Sequence, residues 1–166
     1  MFVNTTYTSL GISPNADGIV MQTVYETGHR HFAFITTFAD IDSVFMGALL
    51  LTGLKAYFPA IEELAHLLIP KKIRPLTVHI PDHSGRKRDP HLRIHVINDA
   101  RSLVVRRFNK AERTSDQALQ VMLGPLLEFG PETVSDYVGR KVLTEMAAIH
   151  PDVFETFPAL LDNQSR

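Results

Sequence analysis

The sequence predicts an α+β domain in which an antiparallel sheet of about five strands packs C-terminal helices on one face. Two patterns support this class. β-Branched and aromatic residues alternate with polar ones in residues 19–38 and 74–108, and apolar residues recur at helical spacing in residues 41–69 and beyond residue 130. With 166 residues, of which 45% are hydrophobic, we expect one domain over residues 19–166. An irregular arm, residues 1–18, precedes it.

The first predicted element is a β-hairpin. Residues 19–26 and 29–38 flank Thr27 and Gly28, and the glycine suits a two-residue turn. In that register Met21 shares a face of the sheet with Phe32 and Phe34. We expect this aromatic face to pack on helices.

Two helices are predicted next. Asp40 and Asp42 precede an apolar run and are suitable caps for a helix over residues 41–56. Pro59 favours the first turn of a second helix over residues 60–69. The apolar run is well short of the roughly 20 residues that cross a bilayer, and the N-terminus lacks the features of a signal peptide. We therefore expect no membrane association and a cytoplasmic location.

The pattern in the middle of the chain predicts a three-stranded meander of residues 74–80, 91–97 and 102–108, with a turn at residues 98–101. We expect residues 81–90 to form an exposed loop between the first two of these strands. Thr114 and Gln117 match a capping box, which predicts a helix over residues 114–129. Further helices are expected from Pro131 to about residue 149 and after Pro151.

This order of elements resembles the general plan of profilin-like, longin-like and PAS-like domains over residues 19–130. The resemblance implies an antiparallel sheet with one open face and helices on the other. Because such folds host unrelated functions, it implies an architecture and no particular chemistry.

Charge is distributed unevenly along the chain. Residues 71–113 contain twelve basic and four acidic residues, a net +8, whereas residues 1–70 carry −4 and residues 114–166 carry −5. A basic middle of this kind favours an anionic partner, either a nucleic-acid backbone or an acidic protein. Alternatively, its charges pair with the acidic ends of the chain or of a second copy. The candidate binding residues are Arg86, Lys87, Arg88, Arg93, Arg106 and Arg107, and alternation along the strand decides which of the last two faces outward.

An enzyme acting on a phosphate-containing or nucleic-acid substrate is the alternative function. His79, His91 and His95 surround the basic loop, and a hairpin would bring His79 near His91 for acid/base or metal chemistry. The absence of cysteine excludes thiolate sites. Exposed sheet histidines explain the same pattern without chemistry. We predict no cofactor.

Gly28, His29 and Arg30 resemble the GxxR-type motif of the ParB and sulfiredoxin superfamily. In that motif a strand is followed by a glycine turn, an arginine and a helix. Here the arginine follows the glycine by two positions instead of three, and residues 32–38 alternate like a strand. The resemblance implies that Arg30 holds phosphate and that Glu26 is the acid. The alternative is an ordinary hairpin with polar residues near its turn.

A third possibility is a protein-interaction module that forms a homodimer through its C-terminal helices. Two apolar sets need burial there: Val134, Tyr137, Val138, Val142, Met146 and Ile149, followed by Phe154, Phe157, Leu160 and Leu161. They pack either on the chain's own sheet or on a second copy. Taken together, the sequence favours a small regulatory binding protein with an anionic partner.

Overall fold

The computed structural model describes residues 7–14, 19–25, 32–35, 42–56, 58–71, 78–79, 91–97, 99–109 and 112–149. The strands are β1 (Tyr7–Pro14), β2 (Ile19–Tyr25), β3 (Phe32–Ile35), β4 (Val78–His79), β5 (His91–Ile97), β6 (Ser102–Asn109) and β7 (Glu112–Met122). The helices are α1 (Ser43–Lys55), α2 (Pro59–Leu68) and α3 (Pro131–Ile149), with a 3₁₀ helix, Gly124–Phe129, before α3. None of the helices in these ranges is long and apolar enough to cross a membrane.

One antiparallel sheet contains all seven of these strands, in the order β4-β3-β2-β1-β5-β6-β7. The α+β class is confirmed, but five strands was too few. The expectation of an irregular arm is wrong for residues 7–14, which form β1 in the middle of the sheet. Leu10 and Ile12 are buried on one face of β1. Serine and glycine occupy the positions between and around them, so the alternation of apolar and polar side chains that marks a strand is weak in this part of the sequence.

The first hairpin has a different register from the one predicted. Met21 pairs with Ala33, and Val20 pairs with Phe34, so Phe34 does not share the face of Met21. The shift is one residue, which moves every side chain of one strand to the opposite face of the sheet. Met21 packs in the core, and the predicted grouping of Met21 with Phe32 and Phe34 is therefore wrong.

The predicted meander is also wrong in part. β5 and β6 form a hairpin as expected, but β4 pairs with β3 at the far edge of the sheet and does not lie beside β5. Residues 81–90 therefore connect two strands that are separated by three others. β4 and β5 therefore do not form a hairpin with each other, and the structure of the basic segment between them lies outside the described residues.

Residues 114–129 do not form the predicted helix. They belong to β7, which pairs with β6 along its length, and to the 3₁₀ helix. Leu119 and Val121 lie opposite Val105 and Leu103 on the core side of the sheet. Pairing with a long neighbouring strand has outweighed the local capping signal of Thr114 and Gln117.

The three helices agree with the sequence prediction to within about two residues, the usual uncertainty at helix ends. Asp42 caps α1 by accepting a hydrogen bond from the Phe45 amide at 2.8 Å, and Pro59 occupies the first turn of α2. The helix predicted after Pro151 and the cap predicted at Asp40 lie outside the described residues.

The helices pack on one face of the sheet, and a single core cluster unites residues of α1, α2 and α3 with the inner face of the strands. Four residues of the predicted dimer set are buried in this core: Val134, Val138, Val142 and Met146. Since the chain buries them itself, they do not argue for a second copy. The other apolar set, from Phe154 to Leu161, lies outside the described residues.

Candidate functional site

The outer face of the sheet, opposite the helices, carries two arginines on adjacent strands. Leu92 and Ile94 of β5 are fully buried in the core, so Arg93 between them projects from the other face. Arg93 pairs directly with Arg106 of β6. Directly opposed residues in an antiparallel pair have Cβ atoms about 4.5–5.5 Å apart, and both arginines are half-buried. The sheet therefore places two arginine side chains at directly opposed positions on its outer face.

The row of paired residues that contains these arginines crosses six strands and ends at Phe32 of β3, which pairs with Gln22 of β2. Gly11 of β1 pairs with Arg93 on one side and with Gln22 on the other, and Arg106 pairs with Gln117 of β7. Gly11 contributes no side chain to this row and is buried. In the next row His95, half-buried, lies opposite Val104, which is 7% exposed. The guanidinium groups of Arg93 and Arg106, each half-buried, have several N–H donors that can bind an oxyanion.

Arg107 occupies the opposite face from Arg106. It pairs with the buried Leu92 in the strand register, and its Nε lies 3.5 Å from Oε2 of Glu145 on α3. The sequence left open which of the two arginines joins Arg93. The structure assigns Arg106 to that face and Arg107 to an ion pair with the helix layer.

Several predicted site residues cannot be placed. Arg86, Lys87 and Arg88 of the basic loop lie outside the described residues, and so do Glu26 and Arg30 of the GxxR-like segment. The predicted anion-binding set is thus represented by Arg93 and Arg106, with Arg107 turned away from them.

The histidines do not gather as predicted. His79 lies on β4 at the edge of the sheet, whereas His91 and His95 lie on β5. Four interstrand steps separate these strands, which corresponds to roughly 19 Å at the usual strand spacing. The predicted approach of His79 to His91 is therefore wrong. Among the described residues, no group of three or more metal-ligating side chains is close enough to hold an ion.

Sequence reasoning missed one close contact that shapes the helix layer. Ser43 and Gly47 of α1 and Ser135 and Gly139 of α3 have the same spacing of a serine four residues before a glycine. The two motifs face each other, with Gly47 against the Ser135 carbonyl and Gly139 against that of Ser43. Small residues at this spacing permit close helix approach, and this signal was available in the sequence.

No protein-family model, curated protein or solved structure matches this chain. The geometry of the described residues is therefore the basis for assigning a function.

Proposed function

We propose that this protein is a binding protein that engages the phosphate backbone of nucleic acid through the outer face of its sheet. The observation that carries the proposal is the direct pairing of Arg93 with Arg106 on that face. Both belong to residues 71–113, the segment with a net charge of +8.

Electrostatics supports an anionic ligand at this position. Arg93 and Arg106 both belong to the basic part of the chain and lie side by side on one face. Arginine donates several N–H groups in a planar arrangement that matches the geometry of phosphate oxygens well. A nucleic-acid backbone presents such groups at high density. The basic residues outside the described ranges would add to the same attraction.

Binding is favoured over catalysis because the candidate histidines on the described strands do not lie together. His79 and His95 lie on strands four steps apart, too far for two imidazoles to act on one substrate atom. Backbone binding needs only positioned cations, and the arginine pair supplies them.

The test is the affinity of the full chain for a fluorescent duplex DNA and a duplex RNA over a range of salt concentrations. Arg93→Gln with Arg106→Gln should weaken binding and reduce the slope of log affinity against log salt by about 1.8 for B-DNA, since each lost phosphate contact removes about 0.9. Thermal unfolding of each variant checks that the fold is retained.

Arg107→Gln is the matched control for the single variant Arg106→Gln, which should reduce the salt slope by about 0.9. It removes one charge at the neighbouring position, on the face that contacts α3. We expect its salt slope to stay close to that of the parent. Equal losses from Arg106→Gln and Arg107→Gln would indicate an unspecific effect of net charge. If the parent bound neither nucleic acid but bound an acidic polypeptide, the partner would be a protein.

A further inference from the structure

A second surface of the protein is an open pocket of about 840 Å³ between α2, the turn that joins β5 to β6, and the 3₁₀ helix. Its apolar wall consists of Ala60, Leu64, Met122, Pro125 and Leu127, and its charged lining residues are Glu63, Asp99 and Arg101. The volume lies in the upper part of the range of ligand sites. Apolar walls with a few charges of both signs favour an amphipathic ligand.

The pocket walls are fixed to the rest of the fold. The Arg101 carbonyl accepts hydrogen bonds from the amides of Leu123 at 2.7 Å and Gly124 at 3.3 Å, which ties the turn to the start of the 3₁₀ helix. Ala100, between the two charged turn residues, is fully buried. Leu64 and Leu127 pack against the core cluster. A ligand would therefore meet a largely preformed site.

The turn that carries Asp99 and Arg101 has an unfavourable backbone conformation. Asp99 and Ala100 have φ values of 52° and 66°, in the left-handed region that is unfavourable for alanine. Asp99 and Arg101 of this turn line the pocket, as does Glu63 of α2. Two exposed carboxylates thus flank an apolar surface, and the guanidinium of Arg101 can donate to carbonyl oxygens of a ligand.

We propose that this pocket binds a short peptide segment of a partner protein that carries apolar side chains next to a basic residue. The apolar side chains occupy the wall formed by Leu64, Met122 and Leu127, and the basic group lies between Glu63 and Asp99. Charge complementarity selects this occupant, because the lining has two carboxylates and one guanidinium. The inference does not rest on nucleic-acid binding, which uses the outer sheet face.

The test is fluorescence anisotropy of the full chain with a labelled short peptide of leucine and lysine. Two matched peptides, with serine for leucine or glutamate for lysine, should bind at least tenfold more weakly. Gly124 lines the pocket, so Gly124→Leu should fill part of it and lower the affinity for the peptide at least tenfold. The variant should still fold, because a Cβ at Gly124 meets nothing within 4 Å. Glu63→Gln with Asp99→Asn should lower affinity about fivefold, as expected for two exposed ion pairs.

Glu62→Gln is the control, since Glu62 is the exposed neighbour of Glu63 on α2 and does not line the pocket. Its affinity should remain within twofold of the parent. The proposal is overturned if the parent binds no leucine–lysine peptide up to about 1 mM, if the serine peptide binds equally well, or if Gly124→Leu binds like the parent. A loss from Glu62→Gln equal to that from the double variant of Glu63 and Asp99 would likewise overturn it. Variants of Arg93 and Arg106 should bind the peptide with the affinity of the parent. The peptide proposal and the nucleic-acid proposal are therefore tested independently.

Discussion

Gly47 of α1 lies directly against the backbone of Ser135 on α3. A Cβ atom at position 47 would be 2.9 Å from the Ser135 Cα and closer still to its carbonyl oxygen. The reciprocal contact places Gly139 against the backbone of Ser43, so the two helices run antiparallel at their crossing. The hydroxyl of Ser43 donates to Asp136, which also pairs with Arg140 at 2.8 Å. Small residues thus set the distance between the helices, and polar side chains join them.

Gly47→Ala should lower the free energy of unfolding by roughly 1–3 kcal/mol or more, since the new methyl group meets backbone atoms that cannot move aside. Gly53→Ala is the control in the same helix. Its Cβ would make an ordinary 3.4 Å contact with a methyl group of Leu10, and alanine favours the helix by about 0.5–1 kcal/mol over glycine. Urea unfolding measures both. Equal stability of the two variants would contradict the close crossing.

Ser135→Ala should also destabilise the protein, by about 1–3 kcal/mol, because a buried carbonyl loses its partner. The Ser135 hydroxyl donates to the Leu68 carbonyl at 2.8 Å and connects α3 to the end of α2. Thr144→Ala removes a hydroxyl of the same helix that donates to the Arg140 carbonyl at an exposed site, and the loss there should stay within about 0.5 kcal/mol. Thermal and urea unfolding would distinguish the two variants.

A double-mutant cycle between Arg107 and Glu145 should give a coupling of about 0.5 kcal/mol, since their side chains are 45% and 17% exposed and solvent screens the pair. The same cycle between Arg106 and Glu145 should give none, because Arg106 lies on the other face of the sheet. Coupling to Arg106 in place of Arg107 would reverse the assignment of faces.

Ala100→Val should cost about 2 kcal/mol or more, because a β-branched residue is strongly disfavoured at positive φ and Ala100 is fully buried. Asp99→Asn, at the neighbouring positive-φ position, should change the free energy of unfolding by less than about 0.5 kcal/mol, because asparagine tolerates this conformation. If valine were accepted as readily as asparagine, the turn would not have the backbone described.

Local patterns predicted the helices and the β5–β6 hairpin well. Asp42, Pro59 and Pro131 act through the first turn of a helix, and such signals depend only on neighbours in the sequence. Residues 114–129 show where this reasoning fails, because the capping pattern there competed with pairing to β6. Strand pairing depends on distant partners that the sequence does not identify.

In the candidate site, likewise, only features that depend on neighbours along one strand could be predicted from the sequence. Alternation along β5 placed Arg93 on the polar face, and the structure agrees. The choice between Arg106 and Arg107 needed the register of β6, and the separation of His79 from His91 needed the strand order. The pocket could not be foreseen, because its lining residues belong to α2, the β5–β6 turn and the 3₁₀ helix, whose relative positions depend on tertiary packing.

The position of β1 has a consequence for the order in which the chain folds. Leu10 pairs with Thr23 on one side and with Ile94 on the other, so the second partner is synthesised 71 residues after the first, a separation that slows folding. During translation β1 can join β2 early, but its other edge stays open until β5 leaves the ribosome. Removing residues 7–14 should therefore separate the sheet into two parts, whereas removing β4 should remove only a short edge strand.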